Sequence, residues 1–163
     1  MGTWQVLSYQ APILPIHAAL MHTGKVLFFA GSGNDPSNRS DQALSQGDAV
    51  WDVNAGTFSR PTVPSSPSGH PPDLFCAGQS FRPDGQLMVV GGTLQYDPFY
   101  GLSTAFFFNP STQQWTFKPS MHNGRWYPTL LTLGSGRIFA LGGNGANGHT
   151  GDREPEPQGS EIA

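Results

Sequence analysis

One cysteine in 163 residues leaves nothing for an internal disulfide to join, and it excludes a cysteine-rich zinc site. Charge is scarce as well. Eight basic and eleven acidic residues give a net charge of −3 and a pI near 5.9. That is no footprint for nucleic acid or an anionic membrane surface, so neither is expected as a partner. No apolar run approaches the roughly 20 residues of a membrane helix. The start, "MGTWQVLSYQAPILP", has no basic n-region and no continuous apolar core, so no signal peptide is visible. Long stretches free of helix breakers are missing too. The longest run without Gly or Pro is Ser37 to Gln46, ten mostly polar residues. A globular helix of about 11 residues with an apolar stripe has nowhere to sit.

Short strands and turns fill that space. "KVLFFAG" (25–31), "QLMVVGG" (86–92) and "RIFALGG" (137–143) are apolar and end in glycine. Each follows a turn signal: "HTG" at 22–24, "RPDG" at 82–85 and "GSG" at 134–136. Continuous apolar strands of this kind are expected to be buried on both faces. The turn glycines Gly24, Gly85 and Gly136 lie 61 and 51 residues apart, and each has a strand before it: "IHAALM" (16–21), "AGQSF" (77–81) and "YPTLLTL" (127–133). Two copies continue into aromatic strands, where "AVWDVNAGTFSRP" (49–61) parallels "FFFNPSTQQWTFKP" (106–119). In that overlay Asp52 meets Asn109 and Phe58 meets Trp115, both 57 apart. Four strands in every ~50–60 residues is the pattern of a β-propeller blade.

Gly-Gly after an apolar strand, then an aromatic strand carrying Trp, resembles the kelch repeat. The glycines allow close packing of inner strands and a tight exit. The expected fold is all-β: a partial kelch-like β-propeller of two and a half to three blades. Their approximate bounds are 10–61, 75–119 and 125–163 (partial). Rings close with about four to eight blades, about seven in this kind, so further blades and a C-terminal β-domain are expected downstream.

Several motifs carry less than they promise. "GNGANG" (143–148) fits G-x-G-x-x-G after a strand, but "HTGDREPEPQGS" follows where a dinucleotide site needs a helix. A blade loop is the expected reading, and "GSGND" (31–35) fails in the same way. Five histidines (His17, His22, His70, His122, His149) show no i, i+2 or i, i+4 pairing for a metal. His17 is expected as a hydrogen-bonded core or channel residue. No Ser-His-Asp arrangement stands out.

Cys76 is different. A lone cysteine in apolar surroundings is ordinarily an inert filler. Here it precedes the inner strand of the second copy, in "DLFCAG" (73–78), and Tyr127 opens that of the third, in "GRWYPT" (124–129). The 51-residue offset of the turn glycines sends position 76 to 127. The two side chains are therefore expected at one level of neighbouring blades, near the axis.

A free Cys beside a Tyr at a propeller mouth resembles the radical copper oxidases, the galactose oxidase and glyoxal oxidase family. The resemblance runs from "PIHAALMHTGKVLFFAG" through "ALGGNGANG", and "RWYPT" leans toward the glyoxal oxidase branch. It implies oxidation of an aldehyde or primary alcohol by O₂ with release of H₂O₂. It also implies one copper ion and a Cys-Tyr thioether, with Tyr127 as copper ligand and radical and Cys76 as its cross-link partner. Phe75 and Trp126 would shield the radical from solvent. The family's axial tyrosine and two copper-binding histidines come from late blades and the C-terminal domain, and no Tyr-His pair occurs in this chain. The resemblance thus implies the N-terminal part of an oxidase, inactive as a fragment. The family is mostly secreted or at the cell surface. The stacking Trp of galactose oxidase falls on Gly145, so the resemblance does not extend to hexose specificity. The alternative is a non-catalytic kelch module that binds protein or carbohydrate through loops 32–48 and 92–104.

Overall fold

Four antiparallel sheets follow one another along the chain. The structure is a computed structural model that describes residues 2–33, 35, 37, 47–61, 71–145 and the backbone of 161–162. The first sheet holds β1 (His17–Leu20), β2 (Val26–Phe29), β3 (Asp48–Asp52) and β4 (Thr57–Ser59), in that order. The second holds β5 (Ala77–Phe81), β6 (Leu87–Gly91), β9 (Ala105–Asn109) and β10 (Gln114–Lys118), again in chain order. The third pairs β11 (Thr129–Thr132), β12 (Ile138–Leu141) and β13 (Glu161–Ile162). A two-stranded hairpin, β7 (Thr93–Gln95) with β8 (Tyr100–Gly101), branches from the second sheet. No α-helix occurs among the described residues, and none there is long and apolar enough to cross a membrane.

The turns explain the regularity. Gly24, Gly85 and Gly136 have φ of 78°, 81° and 83°. Each donates its N–H to the carbonyl three residues earlier, on Met21, Arg82 and Leu133. Those residues in turn donate to Lys25, Gln86 and Arg137. A tight turn closed by a left-handed residue sets the strand register. The outer hairpins match as closely. The Asp52 side chain accepts from the N–H groups of Asn54 and Ala55, and Asn109 from Ser111 and Thr112. Both hairpins then pass through a left-handed residue, Gly56 at 66° and Gln113 at 55°. A side-chain oxygen that satisfies two turn donors is the reason Asp or Asn belongs there.

Period two along β6 ties the sheets together. Leu87 and Val89 join Leu27, Phe29, Val50, Phe106 and Phe108 in one core cluster. Met88 and Val90 join Ala105, Leu130, Ile138 and Ala140 in another. The second sheet is thus packed on both faces, as expected for "QLMVV", and each such side chain contributes roughly 1.5–3 kcal/mol. The inner strands also meet: Gln79 Nε2 donates to the Ala18 carbonyl at 3.0 Å, and Ser80 Oγ lies 2.7 Å from Thr132 Oγ1.

Two expectations need correction. The stretch 92–104 is not one long loop, because β7 and β8 pair within it. His17 is not hydrogen-bonded through Nε2, which is buried with no partner among the described residues. Its ring instead stacks on Phe29 at 4.6 Å. Most of 34–46 lies outside the described residues, as do His70, His149 and 146–148 of "GNGANG".

His17, Phe29 and Asp48 form one cross-strand row. Burial lowers the His17 pKa to about 4 and raises that of Asp48 to about 7. The signs oppose. His17 binds a proton less readily folded than unfolded, so its contribution grows as pH rises from about 4 to 6.5. Asp48 stays protonated in the folded state while the unfolded carboxyl ionises, so its contribution falls as pH rises from 3.8 to about 7. The two slopes offset between about pH 4 and 6.5. Asp48→Asn should therefore unmask a stability that rises with pH, and His17→Phe one that falls. Each swing should be a few kcal/mol by urea unfolding across that range. Flat profiles in both variants would contradict this.

Candidate active site

Cys76 lies one residue before β5, and Tyr127 two residues before β11. Both hold left-handed backbone, with φ of 60° and 66°, which is uncommon outside glycine. The Tyr127 N–H donates to the Cys76 carbonyl at 2.8 Å. Two residues in matching strained positions are thus joined through the main chain where two inner strands begin.

Their side chains differ in exposure. Cys76 is 5% exposed and Tyr127 67%. Burial, with the negative charge of Asp73 adding to it, pushes the Cys76 thiol up to about 12. At neutral pH the sulfur is therefore S–H and a poor nucleophile.

A row of aromatic rings runs from Phe75, the neighbour of Cys76, to Tyr127. Phe75 stacks on Tyr96 at 6.3 Å, Tyr96 meets Phe99 at 5.5 Å, and Phe99 stacks on Trp126 at 4.4 Å. Trp126 lies 5.4 Å from the Tyr127 ring. Phe75 is buried and Trp126 half-buried. Tyr96 and Phe99, supplied by the β7–β8 hairpin, were not among the residues singled out from the sequence.

Two buried charged residues hold this layer. Asp73 Oδ1 accepts from the N–H groups of Ser32 (2.8 Å) and Phe75 (3.1 Å). Its Oδ2 accepts from the Tyr96 hydroxyl at 2.9 Å. Arg125 is fully buried, and its Nη1 donates to the Gly142 carbonyl at 2.6 Å. Its backbone N–H donates to Leu102, and its carbonyl accepts from Gly92. Trp126 and Asn144 exchange two backbone hydrogen bonds. Asp73 lies within "DLFCAG" and Arg125 within "GRWYPT", so the motifs carried both, but only their folded partners reveal the roles.

A metal donor set is sparse. Among the described residues no three His, Cys, Asp or Glu side chains come together. The Tyr127 phenol is open to solvent and is one oxygen donor of a type that copper accepts.

No protein-family model matches the chain. It is 30% identical over 149 residues to galactose oxidase from Gibberella zeae, an alignment covering 91% of this chain and 20% of that protein. It is 26% identical over 163 residues to aldehyde oxidase GLOX from Vitis pseudoreticulata, covering 90% of this chain and 30% of that protein. Among solved structures it resembles a novel fungal alcohol oxidase with catalytic diversity among the AA5 family, in complex with copper. The TM-score is 0.62 at 26% identity, over 83% of this chain and 27% of that one. The chain spans about a fifth of the length of the galactose oxidase relative. By fold and by sequence this is an all-β protein similar to an alcohol oxidase and an aldehyde oxidase. More narrowly, these similarities support the copper radical oxidase family as the group that this chain resembles.

Proposed function

We propose that this chain forms the Cys-Tyr half of a copper radical oxidase centre that oxidises aldehydes or primary alcohols with O₂ to H₂O₂. The three main sheets would be kelch-type blades, bounded near 10–61, 75–119 and 125–163. Further blades and a C-terminal β-domain would complete the ring and the site, and this chain alone would not turn over. The observation that carries the reading is the pairing of Cys76 and Tyr127, in matching left-handed positions joined by a 2.8 Å hydrogen bond.

Two-electron oxidation of a substrate needs two one-electron centres, and copper, when bound, would supply one of them. Tyr127 fits such an ion as one ligand, while tetragonal Cu(II) takes about four. The described residues supply no further set. The rest of the chemistry belongs to the chain. A bond from Cys76 Sγ to a ring carbon of Tyr127 forms with loss of S–H and C–H. Two protons and two electrons leave and reduce O₂ to H₂O₂. A thioether substituent makes the phenol easier to oxidise, and Tyr127 would then store the second oxidising equivalent. Phe75 and Trp126, with Phe99 stacked on the latter, would keep water from the ring's flank.

The test is the mass of the whole protein that carries this chain. After exposure to Cu(II) and air, it should weigh two hydrogens less, and Cys76 should stay silent to thiol reagents in denaturant. An unchanged mass with a fully titratable thiol would refute the proposal and leave a propeller module that binds protein or carbohydrate.

A further inference from the structure

We infer that Asp73 is the positioning residue that presents the Cys76 thiol to Tyr127, a deepening of the function proposed above that rests on it. Four residues, 73–76, approach β5 with their side chains buried. A free turn of this kind would not hold a non-glycine residue at φ of 60°. Here the surroundings over-determine it, and Asp73 is the hub.

The Asp73 carboxylate is 3% exposed and collects donors from three places. Ser32 N–H comes from the end of the first sheet, Phe75 N–H from the turn itself, and the Tyr96 hydroxyl from the β7–β8 hairpin. The Ser32 hydroxyl also meets the Tyr96 hydroxyl. Thr93 clamps the same turn through its backbone carbonyls. Its N–H donates to the Asp73 carbonyl and its hydroxyl to the Phe75 carbonyl, both at 2.8 Å. Gly31 and Gly92 let two other chain segments approach so closely, since a Cβ at either would collide with Asp73 atoms. The residue next in the chain is Cys76, whose carbonyl is already bonded to Tyr127. Fixing both sides of the turn fixes the direction in which the Cys76 side chain leaves it. The carboxylate does not touch the reacting atoms. Its work is to hold the geometry in which sulfur and ring carbon can join.

In the whole protein, the rate of cross-linking is read as the rate of mass loss under Cu(II) and air, scaled to the folded fraction by circular dichroism. Asp73→Ala should slow it on the order of a hundredfold, the effect of an ångström-scale misplacement of reacting groups. Asp73→Asn keeps an acceptor for Ser32 and Phe75 and can donate to the Tyr96 oxygen, so it should stay near the wild-type rate. Tyr96→Phe keeps the ring stack, loses the hydroxyl's bonds to Oδ2 and to the Ser32 hydroxyl, and should fall between them. A wild-type rate in Asp73→Ala or Tyr96→Phe would overturn the inference. So would an Asn variant as slow as Ala, because the rate would then follow charge and not geometry. Should Asp73→Ala fail to fold, the other two variants decide. If the whole wild-type protein never cross-links, the proposed function fails, and native labelling of Cys76 by a thiol reagent judges Asp73 separately. Faster labelling in Tyr96→Phe and Asp73→Ala than in wild type supports the clamp, and unchanged labelling overturns it.

Discussion

Under the proposed function, replacing Cys76 by Ser is expected to abolish oxidation by the whole protein while leaving its fold in place. The hydroxyl is nearly the size of the thiol, and the site is 5% exposed. Burying it should cost roughly 1–3 kcal/mol, a loss most domains survive. No carbon–sulfur bond can form, so the mass deficit of two hydrogens should vanish along with turnover. Tyr127 would remain free to bind an ion, so activity and metal content should separate. Loss of oxidation with copper retained would support the cross-link, measured by peroxide release and by metal analysis of the same sample. Full activity in Cys76→Ser would remove Cys76 from the chemistry altogether.

The second large effect is expected at Gly91, where Ala should come close to unfolding the chain. Gly91 sits at φ of 75°, and a Cβ there would land on the Arg125 carbonyl oxygen. A left-handed non-glycine costs about 1–3 kcal/mol. Overpacking against backbone adds about 1–3 kcal/mol more. Gly24 provides the control, with φ of 78° and nothing within 4 Å of its Cβ position. Gly24→Ala should show the backbone cost alone. The difference between the two urea midpoints isolates the close approach of the Arg125 segment to β6. Equal midpoints would mean that this segment can shift without loss.

That segment also marks the limit of what sequence can reveal. The hairpins were legible because local signals set them: "HTG", "RPDG" and "GSG" each end in a residue that must be left-handed. The 57-residue match of Asp52 to Asn109 survives as the same side-chain turn in both places. The 51-residue offset that sends 76 to 127 is likewise matched by two like backbone conformations. The β7–β8 hairpin was not legible. Strands of three and two residues are too short to show a period, and its aromatic residues read as loop. Asp73 was invisible for another reason. Its partners Ser32 and Tyr96 lie 41 and 23 residues away, and nothing local in "DLFCAG" announces them. Arg125 reads as an ordinary charged residue beside Gly124, yet it is fully buried and bonds to Gly142, Leu102 and Gly92.

The contrast in exposure between residues 76 and 127 has one more consequence. A phenol two-thirds open to water has several rotamers to choose from, and each ligand that met it would have to narrow that choice. A single bond to a rigid, enclosed sulfur would remove the choice once, at maturation, so that entropy need not be lost again at every catalytic cycle.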